Sequence, residues 1–265
     1  MKLGVNSVLY KPFSVTEAMR CIKMAGYDGV EISAIKGMCE HLNLDNAKES
    51  IAEIKAAQEE TGLALLSMEL ASQDPERLHK ACAAAKELGI PIVNVGPTGK
   101  SDVEGDLDAC IELLKASAAI AAEYGITLCC KAHVGAALYS TPTTLEVMAR
   151  ISPDAALGVD MDPSHIHRAG EKPEEALPRV ISRVKHIHIR DCKGPGPSPG
   201  LPALQACGRG DINLLGYFKV LVDAGYKGPV CLEVIGPDQS MEQCQTIAAE
   251  SYGYMNACLK ALGAK

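Results

Sequence analysis

The chain has 265 residues, of which 47% are hydrophobic and 22% charged, and its formal net charge is −7. This length suits one domain with a single core, and no linker divides the chain, so we expect one domain over residues 1–265. The negative charge disfavours binding to nucleic acids, and no apolar run approaches the ~20 residues of a membrane span. A small molecule is the expected partner.

The cysteines and the N-terminus indicate the compartment. Eleven cysteines are scattered along the chain without a CxxC pair. They read as reduced, buried thiols rather than as a disulfide or zinc framework. The first residues lack the basic and apolar regions of a secretory signal, so the sequence predicts a cytoplasmic protein.

Short apolar runs alternate with amphipathic segments along the whole chain. The predicted strands are Leu3–Leu9, Gly29–Ser33, Ala64–Leu70, Ile92–Val95, Thr127–Ala132, Ala156–Asp160, Val184–Ile189 and Val230–Val234. The predicted helices are Ser14–Ala25, Asn46–Thr61, Pro75–Leu88, Leu107–Tyr124, Thr143–Ile151, Pro173–Arg183, Asn213–Ala224 and Ser240–Leu262. Strands and helices that alternate eight times predict an α/β protein with the (β/α)8 barrel fold. The alternative, a doubly wound open sheet, would favour a glycine-rich turn after the first strand, which residues 6–10 do not provide.

Polar side chains collect where the predicted strands end, which is the active-site face of such barrels. They are Asn6, Glu31, Glu69, Asn94, Lys131, His133, Asp162, His165, His188, Arg190 and Glu233. The proline- and glycine-rich segment Lys193–Gly210 follows the seventh strand and is expected to be a loop that closes over the substrate.

Three of these polar residues suit a metal ion. Asp162, His188 and Glu233 would come from neighbouring strands, and two carboxylates with one imidazole favour Mn²⁺, Co²⁺, Zn²⁺ or Mg²⁺. The alternative is that hydrogen bonds or ion pairs satisfy each of them separately.

Several motifs together identify a family. They are Gly26-Tyr27-Asp28-Gly29-Val30-Glu31, Asp162-Pro163-Ser164-His165, His186-Ile187-His188-Ile189-Arg190-Asp191, Gly208-Arg209-Gly210-Asp211, and Gly225-Tyr226-Lys227-Gly228-Pro229 leading into Glu233. In this order they resemble the sugar phosphate isomerase/epimerase family of xylose isomerase-like barrels, which includes ketose 3-epimerases and inosose dehydratase. The resemblance implies a metal held by a fifth-strand Glu and by the residues matching Asp162, His188 and Glu233. It also implies that the two Glu residues move a proton on the carbon next to a carbonyl.

The fifth strand departs from this pattern, because relatives commonly end it Glu-Asn-His and this chain has Lys131-Ala132-His133. Three hypotheses follow. A cation still binds three ligands while Lys131 holds an anionic substrate; or the Lys131 ammonium takes the metal's place and works with Glu233 as an acid/base couple; or the barrel is catalytically silent and binds a sugar.

The sequence therefore predicts an isomerase or epimerase of a small keto sugar or related hydroxy-carbonyl compound. Glu233 and Lys131 are the catalytic candidates, and Asp162, His188 and Glu233 are the candidate ligands of a divalent metal. The substrate-binding candidates are His165, Arg190, His133 and Glu31. The alternatives are a metal-free or silent sugar-binding barrel and an inosose-type dehydratase, while an apurinic endonuclease is disfavoured because residues 67–69 and 94–96 lack the extra histidines of that class. The expected partner is a small carbohydrate, and homo-oligomerisation is left open.

Overall fold

A closed barrel of eight parallel strands is the centre of the computed structural model, which describes residues 1–265. The strands are β1 (Lys2–Asn6), β2 (Gly29–Ile35), β3 (Cys39–Glu40), β4 (Ala64–Ala71), β5 (Ile92–Val95), β6 (Thr127–Lys131), β7 (Leu157–Asp160), β8 (Val184–Ile189) and β9 (Pro229–Leu232). The barrel order is β1-β9-β8-β7-β6-β5-β4-β2, and pairing of β1 with β2 closes it. The short β3 pairs antiparallel with β2 outside the barrel. The predicted (β/α)8 fold is confirmed.

The helices surround the barrel and begin and end at residues suited to these positions. They are α1 (Val15–Met24), α2 (Ala47–Thr61), α3 (Pro75–Leu88), α4 (Asp106–Tyr124), α5 (Thr141–Arg150), α6 (Pro163–Arg168), α7 (Pro173–Val180), α8 (Leu214–Asp223) and α9 (Met241–Ala261). Ser14 and Glu17 form a capping box at the start of α1. Gly62, Gly89 and Gly125 end their helices in the left-handed conformation, which costs glycine little. None of the helices combines the length and apolar character needed to cross a membrane.

Three local differences from the sequence-based prediction have physical causes. The first strand stops at Asn6, because the Asn6 side chain accepts a hydrogen bond from the Val8 amide and starts a 3-10 turn over Ser7–Tyr10. Helix α6 was not predicted, since six residues are too few to show a helical period. Helix α7 gives way at Ile181 to a 3-10 turn rather than continuing to Arg183.

The segment Lys193–Gly210 is largely irregular, as predicted, apart from a 3-10 turn over Pro202–Gln205. Gln205 fixes it to the chain after β9 by donating to the Ile235 carbonyl at 2.7 Å and accepting from the Ile235 amide at 3.1 Å. Arg168 fixes it at a second point by donating to the Pro197 carbonyl at 2.7 Å. Its closure over a substrate stays a prediction.

Close packing between strands leaves no room for a side chain at Gly29, the first residue of β2. A Cβ atom there would lie 2.5 Å from the Ala64 carbonyl oxygen and 2.6 Å from Leu66 Cγ. We therefore expect Gly29→Ala to lower the free energy of unfolding by about 1–3 kcal/mol, measured by urea denaturation. The matched control is Gly253→Ala in α9, where nothing lies within 4 Å and alanine should stabilise the helix by about 0.5–1 kcal/mol. A Gly29→Ala variant as stable as the native chain would contradict this account.

Candidate active site

Ionisable side chains are buried together at the C-terminal ends of the barrel strands. Each of them is at most 6% exposed. They are Glu31, Glu69, Lys131, Asp160, Asp162, His165, Arg168, His186, His188, Arg190 and Glu233. Because isolated buried charges are costly, the contacts among these groups decide what the site can do.

One set, here called the imidazole cluster, consists of Glu31, Asp160, His186 and His188. His188 Nε2 lies 2.5 Å from Glu31 Oε2, and His188 Nδ1 lies 2.5 Å from Asp160 Oδ2. His186 lies 3.0 Å from Asp160 Oδ1 through Nδ1 and 2.9 Å from the Ser67 hydroxyl through Nε2. Both ring nitrogens of His188 therefore face carboxylates.

This arrangement sets the charge of His188. Burial alone would lower the pKa of the imidazole, but Asp160 and Glu31 outweigh burial and raise it well above its ordinary value. The two carboxylates thus favour the imidazolium form of His188. Glu31, predicted to bind substrate, also accepts from the Asn94 amide at 2.5 Å, so protein groups engage both of its oxygens.

The second set, the ion-pair chain, joins Lys131, Glu233, Arg190 and Asp162. Lys131 Nζ donates to both Glu233 oxygens, at 2.8 and 2.9 Å. Arg190 Nη1 lies 3.2 Å from Glu233 Oε2, and Arg190 Nη2 lies 3.0 Å from Asp162 Oδ2. Lys131 also lies 3.3 Å from His188 Nδ1, which links the chain to the imidazole cluster.

The ion-pair chain favours the charged forms of Lys131 and Glu233. Burial would lower the pKa of Lys131, but the carboxylates, Glu233 first and then Glu69, raise it above its usual range. Burial would likewise raise the pKa of Glu233, but Lys131 and His188, with Arg190, lower it well below the ordinary value of a carboxyl. Glu233 pairs with the Lys131 ammonium, whereas Asp162 pairs with Arg190.

Glu69 was noted in the sequence only as one of the polar strand ends, yet it belongs to this site. Burial raises its pKa to about 8, although Lys131 and His188 oppose the rise. Its Oε2 has no hydrogen-bond partner and lies 3.6 Å from His188 Nε2. Burial thus favours the protonated form of Glu69, and its position near the end of β4 was the only sequence signal for it.

His165 and His133 lie on the outer side of the ion-pair chain. Asp162 caps α6 by accepting from the Ser164 amide at 2.8 Å, and this turn brings His165 to Arg190, whose Nη2 is 2.9 Å from His165 Nε2. The exposed His133 ring packs against His165 with ring centroids 4.1 Å apart. The two histidines and Arg190, all predicted to bind substrate, thus lie together.

Asp162, His188 and Glu233 were predicted to hold a divalent cation, and their contacts test the fit. Lys131 and Arg190 bind Glu233, Arg190 also binds Asp162, and His188 has no free lone pair while it is an imidazolium. Ligands must be deprotonated, and nearby cations repel a metal ion. In this arrangement the three residues do not fit a divalent cation, and the ligand set stays a prediction.

Other donor groups lie closer together. In three sets, the potential metal-binding atoms are all within 4.8 Å of one another. The sets are Glu31–His186–Cys231, Asp160–His186–His188 and Glu31–Glu69–His188. Each includes a histidine of the imidazole cluster, and none includes Asp162 or Glu233.

A cavity of about 250 Å³ lies between the loops that follow β1 and β9, and its lining includes Val234 but not Glu233. Leu9, Met38 and Val234 give it apolar walls, Lys11 and Gln239 give it polar groups, and Pro202 of the long loop covers one side. Its size suits a small molecule.

Comparison with known proteins agrees with the fold. A family model described as the xylose isomerase-like TIM barrel matches residues 20–258. The chain belongs to this family, as its motifs predicted.

The chain is similar to three proteins with different described properties. An inosose dehydratase of Clostridium perfringens is 27% identical over 129 residues, which span 43% of this chain and 42% of that protein. A D-tagatose 3-epimerase-like protein superposes with a TM-score of 0.78 at 21% identity, covering 99% of this chain and 98% of its own. The IolI protein, whose structure contains a zinc atom, has a TM-score of 0.74 at 18% identity and 99% coverage of both chains. At these identities the two structures establish the fold alone.

We expect the Lys131 ammonium to weaken the binding of a divalent cation at this site. Replacing its ammonium by a carboxylate removes a repulsion on the order of several kcal/mol at an effective dielectric constant of ~20. We expect Lys131→Glu to raise Mn²⁺ affinity at least about tenfold, which corresponds to about 1.4 kcal/mol, in titration calorimetry. Lys185→Glu, an equal charge change at an exposed residue of β8, should leave the affinity unchanged. Equal or weaker Mn²⁺ binding by Lys131→Glu would show that this ammonium does not oppose a cation.

Proposed function

We propose that this protein is an isomerase or epimerase that moves a proton on the carbon next to the carbonyl of a small keto sugar or related hydroxy-carbonyl compound. The observation that carries the proposal is the buried pair of Glu233 with Lys131, whose Nζ donates to both carboxylate oxygens. A carboxylate base and a fixed cation are the two groups that enediolate chemistry needs.

In this proposal Glu233 takes the proton from carbon and Lys131 stabilises the negative charge that develops on the carbonyl oxygen. While Lys131 and Arg190 are its partners, the pKa of Glu233 is low and the carboxylate is a weak base. A substrate oxygen that accepts a hydrogen bond from Lys131 would loosen that pair and make Glu233 more basic. Substrate binding itself would then activate the base.

Lys131 would thus perform the charge stabilisation that a divalent metal supplies in the predicted family mechanism. The proposal supported by the contacts of Lys131 and Arg190 is a reaction without a metal at Asp162, His188 and Glu233. A metal-assisted isomerase is the alternative, and elemental analysis of the purified protein distinguishes the two. One divalent ion per chain, lost together with activity on chelation, would favour the metal-assisted form.

Dehydration of an inosose-like ketone is a second candidate, favoured by the similarity to an inosose dehydratase. It begins with the same removal of a proton next to a carbonyl, and then requires an acid for the departing hydroxyl group. Glu69, whose pKa is raised to about 8 by burial, would be a suitable acid. Loss of water from the substrate, followed by mass spectrometry, separates dehydration from isomerisation.

The role of Glu233 is tested by hydrogen exchange. In D2O the native protein should incorporate deuterium at the carbon next to the carbonyl of a ketose, and Glu233→Gln should abolish this signal in NMR because the amide cannot accept the proton. Glu250→Gln, a change of the same kind at a carboxylate that pairs with Arg209 away from the site, should exchange normally. Undiminished exchange by Glu233→Gln would remove Glu233 from the mechanism.

The role of Lys131 is tested by removing its charge while keeping a flexible apolar chain. We expect Lys131→Met to lower kcat by about 10²-fold or more, since it removes the group that stabilises the enediolate. The native protein treated with a chelator should keep its activity and serves as the reference. Full activity in Lys131→Met would assign Lys131 a structural role.

A further inference from the structure

Arg168, the last residue of α6, carries a buried charge that no carboxylate neutralises. The residue is only 6% exposed, and no Asp or Glu oxygen lies within 4.0 Å of its guanidinium. Its acceptors are the carbonyl of Ser164 at 3.2 Å, the carbonyl of Pro197 at 2.7 Å and the His165 ring. A buried guanidinium without an anionic partner is costly, so an anion bound beside it would be stabilised.

The second observation is a shortage of acceptors around His165. Its Nδ1 faces the Val134 amide at 3.1 Å and Arg168 Nη2 at 2.8 Å. Its Nε2 faces Arg190 Nη2 at 2.9 Å and Arg168 Nη2 at 3.3 Å. Burial, and then Arg190 and Lys131, lower the pKa of His165 well below its ordinary value, which favours the neutral ring, and a protonated ring would have no acceptor nitrogen at all.

A neutral imidazole has one acceptor nitrogen and one N–H donor. If Nδ1 accepts the hydrogen bond from Val134, then Nε2–H points towards a guanidinium that is also a donor. The nearest carboxylate, Asp162, is 3.7 Å away and is bound to Arg190. At least one contact between His165 and the two guanidinium groups therefore brings two donors together without an acceptor.

We propose that the substrate carries an oxyanion, a carboxylate or a phosphate, which binds to Arg168 together with His165 and Arg190. This inference rests on the proposed function and specifies its substrate as an acidic sugar derivative. Guanidinium groups suit both anions, because their donors match pairs of oxygen atoms.

Arg168 would also connect the substrate to the long loop. Its Nη1 donates to the Pro197 carbonyl, while Nη2 lies at His165, so opposite nitrogens of one guanidinium reach the loop and the candidate anion site. An anion at Nη2 would hold the side chain in place and with it the loop segment around Pro197. A substrate without a negative charge would not fix the loop in this way.

The test uses two probes: inorganic phosphate represents a substrate phosphate, and glycolate represents a substrate carboxylate. Each is titrated into the protein at constant ionic strength with chloride, and the amide resonance of Val134, which donates to His165, is followed by NMR. We expect saturable shifts for at least one probe, with the tighter one identifying the anion. In Arg168→Gln the Kd of that probe should rise by about tenfold or more.

Arg183→Gln is the matched control, because Arg183 is also buried and donates only to the carbonyls of Ile151 and Leu157, outside the site. It should leave the Kd unchanged. If Arg168→Gln does not fold, Arg168→Lys provides the comparison, since it keeps the charge and loses the paired donors; its Kd should rise severalfold.

Absence of a saturable Val134 shift with both probes, or a Kd that Arg168 variants leave unchanged, would overturn the inference. Equal weakening by Arg168→Gln and Arg183→Gln would overturn it too, because it would indicate a general loss of structure. None of these titrations requires turnover. Anion binding can therefore fail while hydrogen exchange by Glu233 persists, and the two proposals are judged separately.

Discussion

The Lys131 ammonium occupies a place where almost no water reaches, and the remaining ionic contacts of the site depend on it. Glu233 pairs directly with Lys131, and Asp162 pairs with Arg190. His188, which contacts Glu31 and Asp160, lies only 3.3 Å from the Lys131 ammonium. Lys131, Arg190 and His188 are each paired with a carboxylate, which offsets a desolvation cost of several kcal/mol for a buried charge. Removing one member would therefore rearrange several pairs, and the site is better described as a network than as separate residues.

Barrel closure is what brings this network together. Glu233 follows β9, Lys131 ends β6 and Glu31 lies on β2, so their approach depends on pairing between elements far apart in the sequence. Parallel strands in a closed barrel direct their C-terminal ends to one face, and inward-facing side chains from different strands meet there. The network in turn supplies partners for polar groups that the barrel could not leave buried alone.

The sequence predicted the barrel and most of the buried ionisable residues at its mouth, although not Asp160, Arg168 or His186, because these features depend on periodicity and on strand ends. Pairing within the site could not be predicted, since it depends on distances of a few ångströms. Asp162 was expected to bind a metal, and its actual partner, Arg190, could be identified only after the turn of α6 was known. Arg168 was overlooked for a related reason: α6 is too short for its period to show, so nothing in the sequence placed that guanidinium beside His165.

An ammonium and a metal ion differ in ways that bear on how such a site evolves. A metal can leave, accepts several oxygen ligands and carries two charges, whereas Lys131 is attached to its strand, donates three hydrogen bonds and carries one charge. A single positive charge requires fewer carboxylates. Glu233 alone accepts hydrogen bonds from the Lys131 ammonium, while burial raises the pKa of Glu69 to about 8 against the opposing effect of Lys131. Replacing a glutamate by lysine at position 131 would thus alter the protonation of the neighbouring groups. A carboxyl such as that of Glu69 would be protonated more easily beside a single ammonium than beside a divalent metal ion.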